Sequence, residues 1–386
     1  MRLTLVMGFF LPVPAVTGGA MEKIWGCLGE RFAARGHDVT LVSRTWPGFA
    51  DRETHGRLTY LRIPGQDHTR SLPRNLWRDL RWGRRVARAL PPSDLVVCNT
   101  VSLPLLIAGK RPDLGRVAAV LGRMPKGQVR FYGKVDLILA TSQAVADKAI
   151  AENPDAADRV SVIRQSIDWH GLKQNARQSF QPGSPLTIGY VGRIHPEKGL
   201  EHLLDAVVGL QAHSALLPPW KLLLMGPVAI TEGGGGPGYL ASLKSRYAGL
   251  LGDRLEFRPP SYDPAELGRL YGTLDLFCYP SVAARGEGLS VAPLEAMAAG
   301  AVPILSRLDC YRDVLVPGHN GFQFDHTASD SRQQLEDCLF RLMIAPELRA
   351  QMAKNAQESV LRYDFEATVD DLLSHFARLT GLPAAP

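Results

Sequence analysis

The sequence of 386 residues has few cysteines, and their spacing fits neither a disulfide framework nor a zinc site. Their number is odd and no C-x-x-C pair occurs; they are Cys27, Cys98, Cys278, Cys310 and Cys338. Disulfide-rich secreted domains and zinc-binding modules bring their cysteines together in short, paired spacings. We therefore expect a protein of a reducing compartment.

Long apolar runs are also missing from the sequence. No stretch reaches the roughly 18 apolar residues that a membrane-spanning helix requires. The first residues, 1–7, resemble the start of a secretory leader, but Pro12 and Pro14 interrupt the segment. A Gly-Gly turn and an amphipathic stretch follow, which favours a buried first strand over a leader. We expect a cytoplasmic protein.

Two common nucleotide-binding signatures do not occur where they would be needed. The first strand is not followed by G-x-G-x-x-G, and the glycine-rich residues 233–238 lack the Lys-Ser/Thr pair of a P-loop. A nicotinamide-dependent enzyme is therefore disfavoured. We interpret residues 233–238 as an ordinary flexible insertion.

The composition is that of a soluble globular protein, with 45% hydrophobic and 21% charged residues. A chain of this length is long for one hydrophobic core and sufficient for two. The formal net charge of +6 favours polyanionic partners, such as nucleotide phosphates or a negatively charged membrane face.

The first half begins with a pattern typical of a Rossmann unit. An apolar run at residues 3–7 ends at Gly8, an amphipathic helix follows Gly18 and Gly19, and residues 37–43 form a second apolar run. This order of strand, loop, helix and strand predicts a parallel sheet. The glycine pair lies at a helix N-terminus, where a diphosphate can bind. Spacing alone leaves a purely steric role for the two glycines equally open.

The second half repeats the pattern after a polar segment. Residues 171–185 are rich in glutamine and show no apolar periodicity, which indicates a linker. Residues 186–192 then form a new apolar strand, and Arg193 and Lys198 follow it. We expect an N-terminal domain at 1–175 and a C-terminal domain at 186–365. Two cations placed in this way can clamp a diphosphate, although such residues are more often solvated surface.

Residues 285–300 place two carboxylates, Glu287 and Glu295, eight positions apart across a loop-to-helix junction. Gly286, Gly288 and Leu289 form the approach, and Ser290 is predicted to cap the helix. A helix N-terminus favours an anionic ligand, whereas carboxylates favour the hydroxyl groups beside it. The alternative is a buried helix of small residues with a solvated glutamate at each end.

This stretch resembles the motif E-G-(F/L)-(G/S)-x4-E-A-M-A-x-G of retaining glycosyltransferases of family 4. Residues 192–199 also match the phosphate-binding signature G-R-x-x-x-x-K-G of that family nearly letter for letter. The resemblance is strong over residues 186–325 and diffuse before them. It implies an α/β GT-B fold with two doubly wound Rossmann-like domains facing across a cleft. A last helix, 366–386, is expected to cross back to the N-terminal domain.

The resemblance also implies roles for individual residues. A hexosyl group would pass from a nucleotide-diphosphate sugar to an acceptor, with retention of the configuration at the anomeric carbon. A UDP-sugar is favoured over a GDP-sugar as the donor. The implied catalytic residues are Glu287, Arg193 and Lys198; the implied donor-binding residues are Gly18, Gly19, Gly288, Leu289, Ser290, Glu295 and Pro260. Glu287 would accept hydroxyls of the donor sugar, and Glu295 those of the ribose. Glycosyltransferases of other folds use a metal held by D-x-D, which this chain lacks, so we expect no metal and no cofactor.

The acceptor side departs from the family pattern. Many members carry a histidine after the strand that corresponds to residues 117–121, and this sequence has none there. Arg123 or Lys126 is expected to stabilise charge in its place, or else the acceptor loop has a different form.

Residues 70–90 form a basic amphipathic segment with seven arginines and one aspartate. Five arginines recur on one helical face, namely Arg74, Arg78, Arg81, Arg85 and Arg88; the expected apolar side contains Leu76, Leu80, Ala87 and Leu90. Such a helix can lie on an anionic bilayer, or its arginines can be solvated while their stems cover the core. Nucleic-acid binding is disfavoured because no aromatic stacking platform accompanies the arginines.

These features leave several functions open. The basic segment favours a lipid-linked or cell-envelope saccharide as acceptor in polysaccharide biosynthesis, with the protein peripheral on the inner face of the cell membrane. A soluble natural-product acceptor is the alternative. Rivals with the same fold are an epimerase, a sugar phosphorylase, or a non-catalytic scaffold that binds a nucleotide sugar. The intact Glu287, Glu295, Arg193 and Lys198 count against these rivals.

Overall fold

The computed structural model describes residues 1–69, 71–176, 185–284 and 286–384, which form two compact units. The first unit contains Met1–Ser166 together with Phe365–Pro386, and the second contains Ile167–Asp364. Residues 177–184 of the expected linker lie outside the described residues, as do Arg70 of the basic segment and Arg285 of the glutamate motif.

The first unit is built on an eight-stranded sheet. Its elements are β1 (Arg2–Val6), α1 (Ala20–Ala34), β2 (Asp38–Arg44), β3 (Arg52–His55), β4 (Leu58–Ile63), α2 (Leu72–Ala89), β5 (Leu95–Cys98), α3 (Leu103–Ile107), β6 (Arg116–Leu121), β7 (Leu137–Ala140), α4 (Gln143–Glu152) and β8 (Val160–Val162). The strand order is β3-β4-β2-β1-β5-β6-β7-β8. The β3–β4 pair is antiparallel and the other pairs are parallel.

The second unit is built on a six-stranded parallel sheet. Its elements are α5 (Trp169–Gln174), β9 (Leu186–Val191), α6 (Leu200–Gly209), β10 (Trp220–Met225), α7 (Pro237–Leu251), β11 (Leu255–Arg258), α8 (Pro264–Tyr271), β12 (Leu276–Tyr279), α9 (Val291–Ala298), β13 (Val302–Ser306), β14 (Phe322–Phe324), α10 (Ser331–Ile344) and α11 (Pro346–Ser359). The strand order is β11-β10-β9-β12-β13-β14.

The central strands are buried on both faces, which explains why the sequence shows them as continuous apolar runs. All four residues of β5, β7 and β12 are buried, and so are all five residues of β13. The prediction of two doubly wound α/β units is confirmed. The short helix α5 and the structural division at Ser166 both fall at or before the segment that the sequence presents as a linker.

The last helix, α12 (Phe365–Thr380), belongs to the first unit and packs against α1. The Phe376 ring meets the Phe32 ring edge to face, with centroids 6.0 Å apart, and both side chains are fully buried. Arg31 of α1 and Arg35, which follows it, also pair with Glu366 at 3.1 and 2.7 Å. These ion pairs are largely exposed and each contributes little. The buried apolar face of α12, which includes Phe376, therefore accounts for most of its stabilisation.

The buried face of α2 differs in part from the expected one, because Ala87 packs against the core and Leu90 is buried as predicted, whereas Leu76 is not. The buried residues are Asn75, Asp79, Trp82, Gly83 and Val86, while Leu76 and Trp77 are exposed. The carboxylate of Asp79 points inward because it accepts a hydrogen bond from the backbone N–H of Ser102, at 2.8 Å. This buried contact turns Leu76 outward, so the prediction that Leu76 lies on the core side is wrong.

We predict that Phe376→Ala destabilises the first unit by about 3–5 kcal/mol, because it removes a fully buried ring. Denaturation in urea measures the effect. The matched control is Phe131→Ala, which removes a ring that is 70% exposed. It is expected to change stability by less than about 0.5 kcal/mol. Equal effects of the two substitutions would contradict the role given to α12.

Candidate active site

The candidate site lies at the carboxyl ends of β9 and β12. The order of the second sheet reverses here, because the chain runs from β9 to β10 on one side and later returns to β12 on the other. Open α/β sheets bind their ligands in the crevice at such a reversal. Arg193 and Lys198 follow β9, and the loop that carries Glu287 connects β12 to α9.

The turn after β9 buries Lys198 beside the end of β12. Residues Pro196–Lys198 form one turn of 3-10 helix, and Gly199 leaves it with a φ of 61°. A Cβ atom at Gly199 would lie 2.2 Å from the carbonyl oxygen of Pro280. Only glycine fits this position, since both the backbone conformation and the close approach exclude a side chain. The turn therefore brings the Lys198 side chain to the loop after β12.

Lys198 and Glu287 form a buried ion pair. The ammonium nitrogen Nζ lies 2.7 Å from Oε2 of Glu287, and the two side chains are only 6% and 11% exposed. Ser281 Oγ donates to Oε2 at 2.8 Å, and Ser290 Oγ donates to Oε1 at 2.5 Å. Both carboxylate oxygens are thus hydrogen-bonded, which a buried carboxylate requires.

Both members of the pair are charged at neutral pH. Burial raises the pKa of Glu287, but Lys198 and the two serine hydroxyls outweigh it and hold that pKa below its ordinary value. Burial lowers the pKa of Lys198, but Tyr279 and Glu287 outweigh it and raise that pKa. The site therefore presents one ammonium and one ionised carboxylate in a desolvated position.

Arg193 is held by partners that the sequence pattern does not reveal. Its Nη1 donates to the carbonyl oxygen of Gly233 at 2.8 Å, and its Nη2 pairs with Glu197. The glycine-rich residues 233–238, interpreted from the sequence as an ordinary insertion, thus begin against the guanidinium. Burial raises the pKa of Glu197, but Arg193 and Lys198 outweigh it and the pKa lies below its ordinary value.

Glu295 lies on α9 at a separate position from Glu287. The buried Tyr271, at the end of α8, donates its hydroxyl hydrogen to Oε2 of Glu295 at 2.9 Å. Gly288 and Leu289 form the end of the loop that leads into α9, as expected. Ser290 is the N-cap residue of α9, as predicted, although its hydroxyl makes no hydrogen bond to the helix. The hydroxyl donates to Glu287 instead.

The loop after β11 reaches the glycine-rich segment. Tyr262 donates its hydroxyl hydrogen to Oε1 of Glu232 at 2.9 Å, and Glu232 is the neighbour of Gly233. Pro260 lies in the same loop and is half-buried. A hydrogen-bonded rim formed by Glu232 and Tyr262 therefore adjoins the Arg193 position.

Gly18 and Gly19 lie in the first unit, between β1 and α1. Both have a positive φ, 95° and 94°, and a Cβ atom at Gly19 would lie 2.4 Å from Oε2 of Glu22. Burial raises the pKa of the Glu22 carboxyl to about 7. This buried acid was not predicted, although its place in the first helical turn after a Gly-Gly pair could have indicated it. Arg123 and Lys126 follow β6 and are exposed.

Two family models match the chain. Residues 21–169 match the model described as Glycosyltransferase Family 4, and residues 173–359 match the model described as Glycosyl transferases group 1. Both matches support a glycosyltransferase of the family 4 type. They agree with the family predicted from the glutamate and phosphate-binding motifs.

Individual relatives are distant. The D-inositol 3-phosphate glycosyltransferase of Saccharomonospora viridis is 24% identical over 64% of this chain and 56% of that protein. The phosphatidyl-myo-inositol mannosyltransferase of Mycobacterium leprae is 29% identical over 60% of this chain and 57% of that protein. The chain thus spans little more than half the length of these curated relatives.

Solved structures show the same fold. Sucrose-phosphate synthase from Thermosynechococcus elongatus superimposes with a TM-score of 0.78 at 19% identity, over 99% of both chains. The Anabaena protein HepE, in complex with UDP and glucose, gives a TM-score of 0.72 at 17% identity, over 98% of this chain and 99% of that chain. The predicted GT-B fold is confirmed.

We predict that Lys198→Met destabilises the second unit by about 3–5 kcal/mol at pH 7.5, because it leaves the Glu287 carboxylate buried without its cation. Without Lys198, burial raises the pKa of Glu287, so the folded variant binds a proton as the pH falls. The loss of stability should therefore shrink between pH 7.5 and pH 5.5. Urea denaturation at both values measures it.

Lys354→Met, on an exposed face of α11, is the control and should change stability little at either pH. A loss at Lys198→Met that stays constant with pH would contradict the buried pair.

Proposed function

We propose that the protein is a retaining, metal-independent glycosyltransferase that moves a hexosyl group from a nucleotide-diphosphate sugar to an acceptor. The observation that carries this proposal is the buried Lys198–Glu287 pair at the reversal point of the second sheet. The match of both halves of the chain to glycosyltransferase models supports it.

Lys198 and Arg193 suit the leaving diphosphate. Departure of the nucleotide develops negative charge on the phosphate, and a fixed cation in a desolvated site stabilises that charge more strongly than water does. Lys198 presents such a cation, since it is nearly fully buried. Arg193 adds a guanidinium on the same edge of the sheet, where it can exchange Glu197 for a phosphate oxygen. The amides of Gly18–Gly19 and of residues 288–290 remain predicted further donors to the diphosphate.

Glu287 suits the hydroxyls of the donor sugar. An ionised carboxylate can only accept hydrogen bonds, and each of its oxygens carries two lone pairs. Lys198 and Ser281 use both positions on Oε2, and Ser290 uses one on Oε1, which leaves one position on Oε1 for a sugar hydroxyl. We assign Glu295 to the ribose hydroxyls, and Pro260 to the wall of the base position.

The state of Glu287 supports same-face transfer without a covalent glycosyl-enzyme. A carboxylate whose pKa lies well below the working pH is a weak general base, and an ion pair and hydrogen bonds to its oxygens reduce its nucleophilicity. Glu287 is held ionised by three hydrogen-bond partners, with a pKa below its ordinary value. We therefore propose that a phosphate oxygen of the donor takes the acceptor proton, and that attack occurs on the face from which the phosphate leaves.

A UDP-sugar is the favoured donor, and a GDP-sugar is the alternative. The support is that HepE, which shares the fold, was crystallised with UDP. The hydrogen-bonded Glu232–Tyr262 rim next to Pro260 is where we expect the choice of base to be made.

A lipid-linked or cell-envelope saccharide is the proposed acceptor, reached by peripheral contact of α2 with an anionic membrane. Leu72, Leu76 and Trp77 of this helix are 58%, 44% and 56% exposed. The guanidinium of Arg81 lies 5.4 Å from the centre of the Trp77 ring. Tryptophan and arginine side by side on an exposed helical turn fit the boundary between lipid headgroups and acyl chains.

The relative from Mycobacterium leprae supports this class of acceptor, since its name contains a lipid, phosphatidyl-myo-inositol. Within the described ranges, no helix combines the length and the apolar character that crossing a bilayer requires. A soluble natural-product acceptor remains the second candidate, favoured by the strand end at residues 121–126, where arginine and lysine stand in place of histidine.

We predict that one of UDP, GDP, ADP and dTDP binds without metal, and that Lys198→Ala weakens its binding at least tenfold, because the buried cation is lost. Calorimetry on the full chain measures this. Glu287→Ala and Lys198→Ala should each lower turnover of the matching nucleotide sugar by about 100-fold or more, in line with the loss of a preorganised electrostatic group.

Lys354→Ala is the control for charge, and it should leave both affinity and turnover unchanged. Tight nucleotide binding without any transfer or hydrolysis would support the scaffold alternative. Near-normal turnover of both site variants in folded protein would exclude the proposed site.

We predict that the protein binds vesicles containing phosphatidylglycerol and releases them at high salt. Reversing three outward arginines of α2, Arg74, Arg81 and Arg84, to glutamate should weaken binding at least tenfold, because each basic residue near an anionic surface contributes about 1 kcal/mol. Vesicle sedimentation measures it. The control reverses three exposed arginines of the second unit, Arg254, Arg269 and Arg332. Equal losses in both variants would show a general charge effect and contradict the role of α2.

A further inference from the structure

Tyr279 occupies a fixed position at the centre of the candidate site. It is the last residue of β12 and is buried. Its ring stacks on the ring of Tyr190 in β9, with centroids 5.5 Å apart and an interplanar angle of 21°. On its own strand it stacks on Phe277 at 6.2 Å and 18°. Because β9 and β12 flank the reversal point, this packing fixes the Tyr279 hydroxyl at the ligand edge of the sheet.

Tyr279 touches the cation of the buried pair. The ammonium nitrogen of Lys198 lies 5.1 Å from the centre of the Tyr279 ring. An ammonium within about 6 Å of an aromatic face is attracted by the ring, most strongly when both are desolvated. The Tyr279 hydroxyl also interacts with the ammonium, and this interaction helps to raise the pKa of Lys198 against the effect of burial.

Tyr279 also reaches the carboxylate of the pair, through Ser290. The Ser290 hydroxyl lies 3.2 Å from the Tyr279 hydroxyl and 2.5 Å from Oε1 of Glu287. A serine hydroxyl has one hydrogen, and an ionised carboxylate can only accept. The Ser290 hydrogen therefore goes to Glu287, and the Tyr279 hydroxyl donates to Ser290 Oγ. One tyrosine thus contacts the cation directly and the anion through a single serine.

We infer that Tyr279 is a positioning residue that fixes the Lys198 ammonium and, through Ser290, the Glu287 carboxylate for the donor diphosphate and sugar. This inference rests on the proposed function, because it assigns Tyr279 to the same site.

The geometry gives Tyr279 a clear task. A lysine ammonium is a point charge on a flexible four-carbon stem, and it has three hydrogens. Glu287 receives one of them, and the ring and hydroxyl of Tyr279 hold the ammonium from another side. The direction of the remaining N–H of the Lys198 ammonium is then fixed. This N–H can donate to a phosphate oxygen without reorganisation of the lysine side chain. Without the tyrosine hydroxyl, the ammonium is held by Glu287 and by the face of the ring.

The test is a double-mutant cycle on nucleotide binding. UDP, or whichever of the four nucleoside diphosphates binds, is titrated by calorimetry into wild type, Tyr279→Phe, Lys198→Ala and the double variant. Tyr279→Phe keeps the stacked ring and removes the hydroxyl, so it should weaken binding about threefold to tenfold, the range for one lost hydrogen bond. Lys198→Ala should weaken binding more. The double variant should bind within twofold of Lys198→Ala, because Tyr279 acts through Lys198.

The control is Tyr247→Phe, which removes another buried tyrosine hydroxyl, one that donates to Asp205 at 2.7 Å. It should leave nucleotide affinity unchanged, whatever it does to stability. Ser290→Ala is a second arm that cuts the connection between Tyr279 and Glu287. It should weaken binding of the matching nucleotide sugar, because Glu287 is assigned to the sugar hydroxyls, and it tests the inference even if Tyr279→Phe folds poorly.

The outcomes separate the inference from the proposed function. If Lys198→Ala weakens nucleotide binding, while Tyr279→Phe binds the nucleotide and Ser290→Ala binds the nucleotide sugar like wild type, the positioning role is wrong and the proposed site stands. Additive losses from Lys198→Ala and Tyr279→Phe also overturn it, because they show that Tyr279 does not act through Lys198. If no nucleotide binds, or if Lys198→Ala binds like wild type, the proposed function itself fails.

Discussion

An ammonium and a carboxylate buried 2.7 Å apart impose the main constraint on the second unit. Removing two charges from water costs several kcal/mol for each ion, and their attraction offsets this only with good geometry and satisfied hydrogen bonds. The chain meets the condition with two serines that donate to Glu287 and with Tyr279 beside Lys198. The contacts come from three segments: the turn after β9, the end of β12, and the loop before α9. The pair therefore requires the parallel sheet that brings these segments to one edge.

The sequence predicts those parts of the site that lie next to a recognisable strand or whose partners are close in sequence. Strands buried on both faces appear as apolar runs, and the residues directly after them must lie at the carboxyl edge. This logic, with the resemblance to the family, placed Arg193, Lys198 and Glu287 after the strands at that edge, where they lie in the structure. Gly233 as a partner of Arg193, and Tyr279 as the neighbour of Lys198, were not predictable. Gly233 is 40 positions from Arg193 along the chain, and no periodicity encodes such a contact.

The errors in the prediction have a common physical origin. The basic segment was assigned an apolar side from helical spacing alone, yet its inward face contains Asn75 and Asp79. Asp79 is buried because a backbone N–H of Ser102 is available to it, and that donor is invisible to a helical projection. Ser290 does lie at the N-cap of α9, as predicted, but its role there was not visible from the sequence. Its hydroxyl donates to Glu287 and does not accept from the helix N–H groups.

The partners of Arg193 help to explain why the sequence identifies a family more readily than a donor. Arg193 is paired with Glu197 and with the carbonyl of Gly233, so an anion that binds there must displace a carboxylate. Such an exchange is selective for a strongly charged group such as a diphosphate, and every nucleotide sugar carries that group. The cationic residues are therefore shared across donors and appear as a motif. The residues proposed to contact the base, Pro260, Tyr262 and Glu232, belong to two loops that follow different strands. Because no fixed spacing joins those loops, donor identity is a property of the folded site rather than of any motif in the chain.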